Sequence, residues 1–373
     1  MIPTWSKLAW KALSNPPRSR TQFLDRAFHQ IEFRSSHSAQ ISPLLHICFV
    51  TASPRTFLAP RSLPLHLEIR RLRKGLAIKK STSCKIIQLC QIWSQTMSFE
   101  EMVCLRRGFT LLGLFTPARP IANRLLTEAQ LSGTSWVPAP EVSEHGSASS
   151  IKKDRGECIT LFGPVDFKSW HSFGPIDPCA AILNISMINH ILATDFRFMS
   201  SCFLFLNLET QRFVSDLTTE ERKRIFPPGS TIVAKPDSRG FPESSFARKI
   251  PEGCELIRCR TPNHLYKIGS PNMAQNAVWH LLHSFAKVNL TGFNLFTSNS
   301  KYESLPTGRS TGNTNAAQRC GFSQHDPLFN WFFLKRLRNL GLIGASAQLE
   351  QLLALSASGY LEQIQAVHGA EFR

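Results

Sequence analysis

His325 is followed by Asp326 and Pro327, and then by a run that holds Phe329, Trp331, Phe332 and Phe333. Asp is a favoured N-cap, and Pro suits the first helical position because its missing N–H would be unpaired there anyway. The spacing therefore predicts a helix starting at Pro327, with His325 one residue before the cap. At that place the positive end of the helix dipole disfavours imidazolium. A neutral imidazole held in this way is what a general base toward a hydroxyl requires. A solvent-facing loop histidine is the plainer reading for such a residue taken alone. Phe329, Phe332, Phe333, Leu337 and Leu340 are expected to form a buried face that anchors the helix, with Lys335, Arg336 and Arg338 mostly on the other side.

Two glycine-marked turns could approach a ligand. In TLFGPVDF (160–167), Gly163 closes a predicted strand, where backbone can come close to a phosphate; a Gly-Pro step there is also an ordinary turn. In SPNMAQNAVWHLLHSFAKVNLTGF (270–293), Ser270 and Pro271 precede a helix whose first amides could hold an anion, and the following strand ends at Gly292. His280 and His283 lie three apart on that helix, but no acidic or thiol partner is near them in sequence, so packing is expected. His171 and His264 carry no assigned role. No Asp-x-Asp step occurs, so the common carboxylate device for holding a divalent cation on a diphosphate is missing from the sequence.

The elements that would position these residues alternate in type. Apolar β-like runs occur at 158–164, 180–186, 203–208, 230–236, 254–259 and 287–293, and helical patterns lie between several of them, notably at 272–286. Such alternation predicts an α/β domain with a mostly parallel, Rossmann-like sheet flanked by helices. Residues 98–130 read as two helices broken near Pro117 and Pro120, and 132–157 as a Gly/Ser/Pro-rich linker. Residues 296–324 form a long polar loop of the kind that is either a functional lid or an insert. The expected organisation is a basic, poorly ordered extension over 1–96, a helical segment and linker over 97–150, and a catalytic-type domain over 151–373. Ser98, with acids at 100 and 101, is a helix start signal that also suggests a functional chain beginning at Met97.

Charge is uneven. Residues 1–90 carry fifteen Lys/Arg against Asp25, Glu32 and Glu68, an excess of twelve in a chain whose net charge is +17. Such an arm could touch nucleic acid or anionic lipid, or serve as a targeting segment. No apolar run approaches the roughly 18–20 residues of a membrane span, and the start has no apolar core followed by a small-residue cleavage site. The ten Cys include no C-x-x-C pair, and the Cys254–Cys259 spacing fits a strand better than a zinc knuckle, so reduced thiols and a reducing compartment are expected.

Taken in order, these segments resemble the family 29 sialyltransferases over roughly 158–345. The unit at 270–293 is similar to the family's small sialylmotif. There a Pro-Ser-Thr-Gly turn opens a helix ending Leu-His-x-Cys-Asp-Glu-Val, before a strand closing in Gly-Phe. Leu282-His283-Ser284-Phe285-Ala286-Lys287-Val288 and Thr291-Gly292-Phe293 follow that spacing. Residues 161–186 look like the large sialylmotif, with Gly163, Gly174 and Ile176-Asp177 before a second strand. The segment from His325 resembles the last motif. The departures are Asn184 and Ser186 where the large motif ends in Arg-x-Asn, Asn272-Met273-Ala274 in the turn, Phe285 for the paired Cys, and Asn330 for Glu.

The resemblance implies a GT-A-like fold variant and a metal-independent inverting glycosyltransferase that takes an acidic sugar from a CMP-linked donor to a glycan acceptor. It implies no separate cofactor. Gly163, Asp177, Asn184, Ser270 and Asn272 would hold the nucleotide, Tyr302 and Asn330 would contact substrate, and His325 would be the base. The enzyme would be cytoplasmic and bacterial in type, soluble or peripherally bound to an anionic membrane. The alternative is a non-catalytic protein that binds nucleic acid or anionic lipid through the basic arm; no nucleic-acid motif accompanies that arm.

Overall fold

Seven short strands make one sheet. They are β1 (Gly156–Phe162), β2 (Cys179–Leu183), β3 (Phe203–Leu206), β4 (Thr231–Ala234), β5 (Glu255–Arg258), β6 (Phe285–Thr291) and β7 (Ile343–Ala345), in the order β5-β4-β3-β2-β1-β6-β7. Every pairing is parallel. The computed structural model describes residues 80–96, 99–130, 156–164, 179–198, 202–236, 244–266, 268–298, 322 and 325–369.

Parallel strands need crossovers, and the helices that make them cover both faces. Between the strands lie α4 (Ile185–Ala193), α5 (Leu208–Ser215), α6 (Thr219–Ile225), α7 (Ser244–Ala247), α8 (Met273–Leu281) and α9 (Pro327–Asn339); α1 (Lys80–Thr96), α2 (Phe99–Leu112) and α3 (Arg119–Gln130) precede the sheet, and α10 (Ala347–Ala354) and α11 (Ala357–His368) follow it. The two-residue period of a strand sends alternate side chains to opposite faces. Leu161, Ile182, Phe205 and Val233 enter one core with residues of α1–α3 and α8–α11, whereas Phe162, Leu183, Leu204 and Ile232 enter a second core with residues of α4–α6. The sheet is thus wound in two directions, and the strand order reverses between β1 and β6.

The six predicted strands and the two helices of 98–130 are present. Three features differ from the expectation. Residues 80–96, placed in the poorly ordered extension, form α1, and its Ile86 and Cys90 are buried in the first core. The helical segment 97–150 is not separate from the sheet domain as far as it is described, because α2 and α3 share that same core. Leu340 is exposed, not part of the buried face of α9: it is the C-cap, where the chain leaves the helix for Gly341 at φ 74°. The first eight residues of the helix are buried all round, since Leu328, Asn330, Trp331 and Leu334 are covered as well as the three Phe, whereas Arg336, Arg338 and Asn339 are exposed. Residues 1–79, the linker between 131 and 155, and most of the polar loop lie outside the described residues. Among the described residues, no helix is long and apolar enough to cross a membrane.

Candidate functional site

In a doubly wound sheet the crevice beyond the carboxyl ends of the strands, at the point where the order reverses, is where ligands bind. Here that point lies between β1 and β6. Gly163 N–H donates to the Thr291 carbonyl at 2.8 Å, carrying the ladder one step past the end of β1. A Cβ at position 163 would sit 2.3 Å from the Gly292 carbonyl oxygen and 2.9 Å from Phe293 Cδ1. Only glycine allows the two chain ends to approach this closely. Gly292 itself turns with φ 71°, a conformation that glycine adopts without steric cost.

Two helix N-termini reach the same edge by topology. α8 descends from the carboxyl edge to start β6, and α9 descends from it to start β7, so both N-termini lie there. Each is capped by a side chain: Asn272 accepts from Ala274 N at 2.8 Å and from Gln275 N at 3.4 Å, and Asp326 accepts from Phe329 N at 3.1 Å, with Pro at the first helical turn. Half-buried His325, just before that cap, brings Nδ1 to 3.1 Å from both the carbonyl oxygen and the hydroxyl of Ser270. The carbonyl only accepts, whereas the hydroxyl donates or accepts, so the carbonyl contact suits one tautomer of the ring and the hydroxyl contact suits either. The turn before α8 and the residue before α9 are thereby joined.

Asn330 lies beneath this junction and is buried. Its Oδ1 accepts from the Tyr266 hydroxyl at 2.9 Å and from Asn272 N at 3.4 Å, while its Nδ2 donates to the Asp326 carbonyl at 2.9 Å. Gln275 Nε2 donates to the Asn330 carbonyl at 3.2 Å. Burial pushes the Tyr266 phenol well above its ordinary pKa, which keeps it a neutral donor. In this position Asn330 ties the α8 cap to the start of α9.

The residues proposed from sequence are therefore distributed as follows. Ser270 with His325, and Asn272 with Asn330, form two hydrogen-bonded pairs at neighbouring positions of the same two segments, and Gly163 lies at the switch point. Asn184 ends β2 and caps α4 on the other face, with its Oδ1 accepting from Met187 N at 2.8 Å. Asp177 and Tyr302 lie outside the described residues. His280 packs: its Nδ1 accepts from Arg260 N at 3.1 Å and its ring meets Phe205 edge-on. His283 likewise lies against Trp279.

Three features of the site carry no local sequence signal. Arg106 of α2 reaches Asp326 with its Nε 3.1 Å from Oδ2, both side chains buried, across 220 positions of sequence. Leu295 and Phe296, just after β6, have φ of 47° and 65°. Such left-handed backbone in bulky residues persists only when the surroundings impose it; here the Tyr360 hydroxyl donates to the Leu295 carbonyl at 2.8 Å, and His368 Nε2 lies 2.7 Å from the Phe296 carbonyl. Lys235 stands at the carboxyl end of β4 with its pKa lowered, by burial first, against a smaller opposing effect of Cys259. Among the described residues, no group of three or more His, Cys, Asp or Glu side chains is placed to share a metal ion.

What the fold and the site define is a doubly wound parallel α/β domain with a polar, capped junction at its switch-point edge. No family model, no curated protein and no solved structure matches the chain.

Proposed function

We propose that the chain is an inverting glycosyltransferase of the sialyltransferase type, working without a metal ion, with a CMP-linked acidic sugar as donor and a glycan hydroxyl as acceptor. The observation that carries this reading is the contact of His325 Nδ1 with Ser270 at the carboxyl edge of the sheet. It sets the His325 imidazole beside the N-terminus of α8, whose dipole favours an anion. The choice of CMP rests on the resemblance of 161–186, 270–293 and 325–343 to the family's motifs. In this reading the seven-stranded sheet is the GT-A-like variant of those enzymes.

The reaction is a direct displacement. The acceptor O–H gives its proton to the His325 imidazole as the oxygen forms a bond to the anomeric carbon. The bond from that carbon to the phosphate oxygen breaks, CMP leaves with the electron pair, and the configuration inverts. Gly163, Ser270 and Asn272 hold the phosphate and ribose, and Asn330 acts by keeping the α8 cap in register with His325. Asn184, Asp177 and Tyr302 retain the roles the resemblance implies, Asn184 and Asp177 with the nucleotide and Tyr302 with substrate. The enzyme works in the cytoplasm or on an anionic membrane surface reached by the basic N-terminal segment.

A thermal-shift panel of the full-length chain with CMP, UDP, GDP and CMP-linked sugars tests the donor. A ligand at about 100 times its Kd stabilises by about 2.7 kcal/mol, so saturating CMP is expected to raise the melting temperature where UDP and GDP do not. No shift with CMP or CMP-sugars removes the donor assignment.

A further inference from the structure

Cys179 opens β2, and Cys202 immediately precedes β3, its neighbour in the sheet. The pairing of Ala180 with Phe203 sets the two cysteines level, and their Sγ atoms are 2.7 Å apart. Both side chains lie against the second core; Cys202 is buried and Cys179 half-buried. The Cys202 backbone is held in the sheet, where its carbonyl accepts from Thr231 N at 3.0 Å. Neighbouring strands run about 4.8 Å apart, within the roughly 4.4–6.8 Å between Cα atoms that a disulfide spans. The sulfurs need to close by less than about 1 Å to reach the bonded distance of about 2.05 Å, with no change of strand register.

We propose that Cys179 and Cys202 are a redox modification site that forms a reversible cross-strand disulfide with a small-molecule disulfide as oxidant. The more exposed Cys179 loses its proton, and its thiolate attacks the small disulfide. The small S–S bond breaks, one small thiolate leaves, and a mixed disulfide forms on Cys179. The Cys202 thiolate then attacks the Cys179 sulfur and expels the second small thiolate. Two protein thiols are oxidised, one small disulfide is reduced to two thiols, and the two protons pass to those thiols. The bond lies at the amino edge of the sheet, the opposite edge from His325 and Ser270, so it acts on the stability of the domain and not on the chemistry of the crevice. It joins positions 23 apart in sequence; constraint of the unfolded chain by a loop of that size predicts a rise in melting temperature of roughly 5–10 °C.

The full-length chain, incubated with glutathione disulfide, alkylated and digested with trypsin without reduction, gives the test. Peptides 169–197 and 198–212 each contain a single cysteine, Cys179 and Cys202 respectively. The expected product is the two peptides linked, separated again by dithiothreitol, together with a higher melting temperature of the oxidised chain. Cys202→Ser is expected to stop the reaction at glutathione on Cys179. The proposal is overturned if the native wild-type chain yields the two peptides separately, alkylated or carrying glutathione, or yields Cys179 linked to another cysteine. If the variant does not fold, the wild-type digest decides alone.

Discussion

Replacing Arg106 by Met isolates the ion pair that fastens α2 to the start of α9. Arg106 Nε meets Asp326 Oδ2 at 3.1 Å with both side chains almost fully buried. Its Nη1 and Nη2 have no hydrogen-bond partner among the described residues, and the guanidinium lies 6.0 Å from the Phe115 ring centroid. One strong contact therefore offsets the desolvation of a whole guanidinium. Such a pair contributes little net stability against an apolar substitute, yet removing one partner leaves a buried charge uncompensated, at about 3–5 kcal/mol. Arg106→Met is expected to lose that amount. Asp326→Asn keeps the N-cap, since Asn caps as well as Asp, but strands the cation and is expected to lose a similar amount. The double variant Arg106→Met/Asp326→Asn has no stranded charge and should lose only about 1 kcal/mol, a coupling of several kcal/mol in the cycle. Urea unfolding at constant m-value measures all three. Additive losses, or single-variant losses below about 1 kcal/mol, would refute the claim that the pair is a buried, mutually dependent unit.

Two other outcomes follow from the structure. Gly163→Ala places a methyl 2.3 Å from the Gly292 carbonyl oxygen, where the Gly163 N–H to Thr291 bond holds the backbone; overpacking of this kind predicts a loss of about 3 kcal/mol, read by urea unfolding, and an unchanged midpoint would contradict the close approach. Burial pushes the Cys90 and Cys259 thiols from an ordinary 9.0 up to about 12, with smaller lowering by Arg106 and Lys235 respectively. Because these folded-state values are raised, the stability contributed is fully present below pH 9 and is lost as pH rises toward 12. At pH 10 the loss is about 1.4 kcal/mol per thiol. A Cys259→Ala variant should show a flatter decline between pH 8.5 and 10.5, and equal slopes would count against buried, protonated thiols.

How much of this was legible depends on the range over which each signal acts. Six strands are visible because apolar, often β-branched runs such as Thr231–Ala234 are bounded by Pro, Gly or Cys. β7 is three residues long and follows directly on α9, so no period of two develops that could separate it from the helix end. The caps at Asn272 and Asp326 are local chemistry, and Asp326-Pro327 states the helix start outright. α1 was obscured by composition: its Ile86 and Cys90 bury against the first core although they follow the most basic stretch of the chain. The link between Arg106 and Asp326, and that between Tyr266 and Asn330, join positions 220 and 64 apart. Neither residue type nor spacing announces a contact over such separations; the sheet order creates it. Asn330 is the informative case, because a reading that placed it toward substrate meets a side chain already bonded to Tyr266, Asn272 and Asp326.

The central claim is that His325 takes the acceptor proton in a CMP-sugar transfer. Its most direct test is acceptor-dependent release of CMP from a CMP-linked acidic sugar, measured for the full-length wild type and for His325→Ala beside the CMP affinity of each. Loss of a positioned general base predicts a fall in kcat of about 100-fold or more, with CMP affinity changed by less than about twofold. Equal rates in the two proteins, or loss of nucleotide affinity together with turnover, would contradict the role assigned to His325.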